Sequence, residues 1–173
     1  AEFVVCTNLQ NVSAEAWSFL AAEDTHVSTS FDGTIGTHQR QRTKAREQTI
    51  QFEKNLRHAI SKLGVSRVSA LPTIDPNSPP CPKDLIEAFA ELGLRSIFLR
   101  KVNFQGFARK RFDFEQSLSV WLTYYREFVA KLIEFNSSAS EPLEEYYLSL
   151  LLRRIFQAGH NEHVDLRNPN WLG

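Results

Sequence analysis

A chain of 173 residues is long enough for one domain with a real core and too short for two independent ones. Lysine plus arginine and aspartate plus glutamate number 20 each, so the formal net charge is zero and there is no global electrostatic case for nucleic acid or an anionic membrane. Hydrophobic residues at 42% argue against general disorder, and no apolar run approaches the roughly 18 residues of a spanning helix.

The elements read as strands alternating with helices. Glu2–Asn8 is a short apolar, β-branched run, the form of a strand buried on both faces. Asn11–Ala22 follows as a helix with Ser13 as N-cap. Thr25–Phe31 is a second strand, closed by the turn signal Asp32-Gly33. The next helix spans about 43–63, with Phe52, Leu56, Ile60 and Leu63 on one face and Gly64 as its C-terminal stop. Ser66–Pro72 is a third strand, running into Asp75–Pro82, where four prolines in eight residues forbid helix interior. Lys83–Leu92 is a helix and Arg95–Val102 a fourth strand. From Asp113 to about Phe135 a long helix carries the stripe Leu118, Trp121, Leu122, Tyr125, Phe128 and Leu132. After a polar break at 136–140, Pro142 opens a last helix to about Phe156.

Four strand–helix units without hairpin signals imply parallel strands joined by right-handed crossovers. Residues 1–112 hold these units and 113–173 the C-terminal helices and tail. The sheet closes either as an open doubly wound sheet or as part of a β/α barrel, of which a complete eightfold version needs about 250 residues. The chain contains no methionine, even at position 1, so it is expected to be an internal segment of a longer protein. Two cysteines, Cys6 and Cys81, make neither a disulfide framework nor a multi-cysteine metal site alone, and a cytoplasmic setting is the expectation. Cys6, inside a strand, reads as a core thiol and Cys81 as a surface residue.

In either closure the chemistry sits at the carboxyl ends of the strands. Those ends carry Thr7-Asn8, Ser28–Gly33, Pro72-Thr73 and Arg100–Asn103. Ser28 and Ser30 fall on one side of their strand and Asp32 continues that register, although Asp32 also reads simply as the residue of an Asp-Gly turn. Arg40 and Arg42 stand just before a helix, as a carboxylate clamp or as a solvated helix start. Residues 95–111 hold six basic side chains and no acid, with Phe98, Phe104 and Phe107 interleaved, the footprint of a loop for an anionic peptide or single-stranded nucleic acid or of a solvated loop. His160, His163 and Asp165 make a weak metal-ligand pattern.

The order Thr7-Asn8, Ser30-Phe-Asp-Gly33, then His38 and Arg42 resembles the middle of radical S-adenosylmethionine (radical SAM) enzymes, in the branch with an auxiliary-cluster (SPASM-type) domain. That branch shows Thr-Asn-Gly, Ser-Ile-Asp-Gly, then a His and an Arg; here Leu9 replaces the first glycine and Phe31 the isoleucine. Arg95–Arg100, Gly106-Phe107-Ala108, Glu144–Tyr147, Leu151–Ile155 and His163–Leu166 look more narrowly like the maturases of His-Xaa-Ser peptide systems. The resemblance implies an α/β fold, a six-stranded partial (β/α)6 TIM-type barrel of which these are the third to sixth strands, followed by C-terminal helices. It implies S-adenosylmethionine as cofactor, bound by Asn8, Ser30, Arg42 and Val102. It implies a 4Fe-4S cluster held by a Cys-x3-Cys-x2-Cys motif on strands that precede this segment, and an auxiliary-cluster domain after it. The substrate it implies is a ribosomal peptide or protein, with His-Xaa-Ser repeats in the narrower subgroup.

The segment by itself then holds no metal, contributes no catalytic residue and makes no radical, and neither membrane nor nucleic acid is a partner. Two other classes stay open. One is a non-catalytic module that binds a peptide or nucleic acid through the basic aromatic loop. The other is a β/α-barrel lyase, disfavoured because no strand ends on the lysine that a Schiff base needs, although Lys101 comes close.

Overall fold

The computed structural model describes residues 2–43 and 45–157. Strand β1 (Phe3–Cys6) leads through helix α1 (Ala14–Leu20) to β2 (Thr25–Ser30). A short helix α2 (Ile35–His38) runs into a π-helical turn at Gln39–Thr43, then α3 (Arg46–Leu63). The third strand is broken into β3 (Val68–Leu71) and β4 (Thr73–Ile74), and α4 (Pro82–Glu91) follows. The fourth is broken into β5 (Ser96–Ile97) and β6 (Arg100–Lys101). Helices α5 (Ala108–Arg111) and α6 (Phe114–Ser138), strand β7 (Glu144–Glu145) and helix α7 (Tyr146–Phe156) complete the described chain.

All paired strands are parallel: β1 with β2, β2 with β3, β4 with β6, and β5 with β7. Strand order in space therefore follows order in the chain. A doubly wound sheet reverses that order at a switch point, so the singly wound progression decides for a piece of β/α barrel. The break at Pro72 has a local cause, because proline supplies no ladder N–H; its carbonyl still accepts the Arg100 N–H at 3.0 Å.

Along β2, Thr25, Val27 and Thr29 face the helices and are buried, while His26, Ser28 and Ser30 are half-buried on the opposite, concave face. The core lies on the helix side, where Val27, Val68 and Ala70 meet Phe52, Leu56 and Ala59 of α3 and Leu85 and Phe89 of α4. Phe52, Phe89 and Phe128 are fully buried, each contributing about 1.5–3 kcal/mol. The expected cap and stop are present: Ser13 Oγ accepts the Ala16 N–H at 3.1 Å and Gly64 ends α3 at φ +85°; Pro82 stands in the first turn of α4.

Several expectations are corrected. Among the described residues β1 pairs with β2 alone, and its faces are not both buried: Phe3 is 53% and Val4 66% exposed. For the same reason Cys6 is exposed, not a core thiol; Cys81, just before α4, is exposed as expected. Helix α6 packs on α4 through its second half, so Tyr124, Phe128 and Leu132 are buried at intervals of four while Leu118 and Leu122 stay open to solvent. The segment after Pro142 starts as a fifth parallel strand, not a helix. The Asn136 side chain imitates a backbone partner there, donating to the Leu143 carbonyl at 2.8 Å and accepting its N–H at 2.9 Å. That holds Leu143 extended, and the Glu144 N–H then reaches the Arg95 carbonyl at 2.9 Å. Glu145 next caps α7 through the Leu148 N–H at 2.7 Å. The sites at His160, His163 and Asp165 lie outside the described residues. Among the described residues no helix is long and apolar enough to cross a membrane.

Candidate cofactor-binding site

At the carboxyl end of β2 the chain turns on Gly33, whose φ of +104° is closed to most side chains and where a Cβ would crowd Leu85 Cδ1 at 3.0 Å. This close approach buries the preceding Asp32, which is 1% exposed. A buried carboxylate must be paired, and three donors meet it. Arg42 donates Nε–H to Oδ2 at 2.5 Å and Nη2–H to Oδ1 at 2.9 Å, and the Thr73 backbone N–H donates to Oδ1 at 2.9 Å. One carboxylate thus ties the end of β2, the π-helical turn and the start of β4 together. The extra residue of a π-turn re-aims the side chains after it, and Arg42 is the one turned onto Asp32.

His38 lies beneath this pair, 2% exposed and stacked on Phe52 with ring centroids 4.0 Å apart. Burial pushes its pKa down to about 4, against the pull of Asp32 and with that of Arg42, so the imidazole is neutral at ordinary pH. Its Nδ1 has no hydrogen-bond partner among the described residues.

The β1–β2 register runs to Cys6 opposite Ser28; Ser30 closes β2 and Asn8 lies two residues past the end of β1. Ser30 is half-buried on the concave face, and Asn8 is exposed, its Oδ1 accepting the Gln10 N–H at 3.1 Å. The intervening turn puts Leu9 at φ +53°, fully buried, with its carbonyl held by Asn55 Nδ2 at 2.6 Å. A left-handed leucine is strained by about 1–2 kcal/mol relative to glycine, so the exchange of glycine for Leu9 noted in the sequence changes the backbone energetics of this strand end. Val102 is not part of this cluster. It follows β6 and lines a cavity of about 220 Å³ with Phe104, Phe114 and Trp121.

Sequence reasoning missed two features. Asp32 is more than a turn residue, and the only signal was its continuation of the Ser28/Ser30 register. Glu145 is 1% exposed and accepts from Tyr125 Oη–H at 2.7 Å and from the Leu99 N–H at 3.4 Å; burial, and then this bond, push the Tyr125 pKa up. Its signal was the second acid of the pair Glu144-Glu145 entering an apolar run, which resembles any helix start.

The serine hydroxyl, the asparagine amide and the guanidinium fixed by Asp32 lie towards one end of the sheet, with the recess lined by Val102 and Trp121 two strands away. Among the described residues no group of three or more His, Cys, Asp or Glu side chains is placed to hold a metal ion, so a cluster does not fit these residues.

No protein-family model and no curated protein matches the sequence. The fold is α/β with parallel strands and helices, similar to that of a radical SAM enzyme. The solved structure in question is native anSMEcpe with bound AdoMet, matched at a TM-score of 0.67 with 14% sequence identity. The match covers 89% of this chain, which spans 42% of the length of that protein.

Proposed function

We propose that this chain is the central, cofactor- and substrate-facing part of a radical SAM maturase that modifies a ribosomal peptide or protein, in the narrower subgroup one with His-Xaa-Ser repeats. The observation that carries the reading is that polar residues, Asn8, Ser30 and the Asp32-oriented Arg42, follow or sit against the carboxyl ends of a singly wound parallel sheet. That end is where β/α barrels place their chemistry, and the similarly folded anSMEcpe binds AdoMet.

In this reading Arg42 pairs with the carboxylate of S-adenosylmethionine. Its Nε and Nη2 edge is fixed by Asp32, which leaves Nη1 for the ligand and removes the rotamer freedom that binding would otherwise have to freeze. Ser30 donates to or accepts from the ribose or carboxylate end, Asn8 sits at the mouth, and Val102 packs against adenine in the recess with Trp121. Together with a 4Fe-4S cluster held by residues outside this segment, S-adenosylmethionine supplies hydrogen abstraction. The residues of this chain orient and shield. An auxiliary-cluster domain following residues 113–173 and a cytoplasmic setting belong to the same proposal.

Calorimetric titration with S-adenosylmethionine tests the reading. Ser30→Ala and Arg42→Gln are each expected to weaken binding, Arg42→Gln by about tenfold or more, the value of one charge-assisted hydrogen bond. Unchanged affinity in both variants would sink the assignment.

A further inference from the structure

The basic run at 95–111 divides into two sets. Arg95 pairs with Glu141, Arg111 with Asp75 at 2.6 Å, and Arg109 Nε–H donates to the Phe104 carbonyl at 3.1 Å. Arg100 and Lys101, like Arg109 and Lys110, have no acidic partner among the described residues. Both line one cavity of about 690 Å³, together with Thr73, Asn103, Trp121 and Tyr147, a size in the ordinary range for ligand sites. The Arg100 guanidinium lies 5.0 Å over the Phe98 ring, which holds it in place. The carboxylate bonded to the neighbouring Leu99 N–H, Glu145, is buried, accepts from Tyr125 and Leu148, and forms no ion pair with either cation.

Two adjacent cations, an amide and two aromatic walls at the strand carboxyl ends form a receptor for carboxylates on an extended chain. We infer that this cavity binds an acidic segment of the peptide substrate, with Arg100 as a forked donor and Lys101 as a point charge. The inference rests on the proposed function and names its substrate class. A nucleic-acid strand fits worse: it needs a row of cations along its backbone, whereas here only two line the cavity, Arg111 is cancelled by Asp75, and the net charge is zero.

The test is fluorescence anisotropy of the 173-residue chain with a fluorescein-labelled, alanine-rich peptide carrying three adjacent glutamates. The same peptide with glutamines, and an oligothymidylate of about twelve nucleotides, are run beside it. The glutamate peptide is expected to bind at least about tenfold tighter than the glutamine peptide. The double variant Arg100→Gln/Lys101→Gln is expected to abolish that difference. Both side chains are exposed, so the fold survives, as circular dichroism would verify. Equal binding of the two peptides, an unaffected double variant, or tighter binding of the oligonucleotide lost in that variant would each overturn the inference. If the glutamate preference holds while the unaltered chain binds no S-adenosylmethionine, the acidic site stands and the proposed function falls. The converse result removes the acidic site alone.

Discussion

The Asp32–Arg42 pair makes a quantitative claim. Asp32→Asn keeps the shape of a side chain that is 2% exposed but turns one of its two acceptors into a donor facing the Arg42 N–H groups. One charge-assisted hydrogen bond is lost and a second weakened, and such bonds contribute about 1.5–3 kcal/mol each when buried. The Arg42 side chain is 32% exposed and recovers part of the loss from water, so the low end applies, about 2 kcal/mol in total. For a chain of this size that lowers Tm by about 4–8 °C. Urea and thermal unfolding followed by circular dichroism measure it. A double-mutant cycle with Arg42→Gln isolates the pair, and the two losses should be clearly non-additive because either change alone strands a charge. A drop under about 1 °C, or strict additivity, would refute the reasoning that this pair fastens the three strand-end segments.

Other consequences follow from the same strand ends. His38 is neutral when folded, with its pKa pushed down to about 4 from an ordinary 6.5. Its contribution is complete above pH 6.5 and is lost as pH falls towards 4, because the unfolded chain takes up a proton the folded one refuses. The loss runs at up to about 1.4 kcal/mol per pH unit. His38→Phe, which preserves stacking on Phe52 and removes the unpaired Nδ1, should flatten the stability-against-pH curve in that window; an unchanged slope contradicts it. At Leu9, alanine should cost about 2–4 kcal/mol for the lost burial. Glycine should be about 1 kcal/mol less destabilising than alanine, an inverted order diagnostic of the +53° φ and readable by urea midpoints. Thr29 Oγ1 is buried without a partner, so Thr29→Val should leave thermal stability unchanged or raise it by about 1 kcal/mol, and a clear loss would mean the hydroxyl has a partner.

What could be read from the sequence was set by short-range physics. β-branched runs, prolines and Gly64 located strands and helix ends within a few residues, and the absence of hairpin signals sufficed for parallel pairing. The misreadings all involve partners distant along the chain. β1 looked doubly buried because composition reports apolarity, not whether a neighbouring strand lies alongside. β7 looked helical because Leu143 is held extended by Asn136, seven residues earlier, against the local pattern. At the candidate site, Asn8 and Ser30 stood out by their position at strand ends and Arg42 by its place just before a helix. That Asp32 orients Arg42 depends on a π-turn ten residues away, which no periodicity announces.

The most direct test of the central claim is a nuclear magnetic resonance titration of the isotopically labelled chain with S-adenosylmethionine, since shift changes register even weak binding and show where it occurs. The expected result is a set of saturable amide shifts confined to the strand carboxyl ends, around Asn8, Ser30, Arg42 and Val102, with the amino ends of the strands unmoved. No saturable shifts, or shifts gathered at the opposite end of the sheet, would contradict the cofactor site.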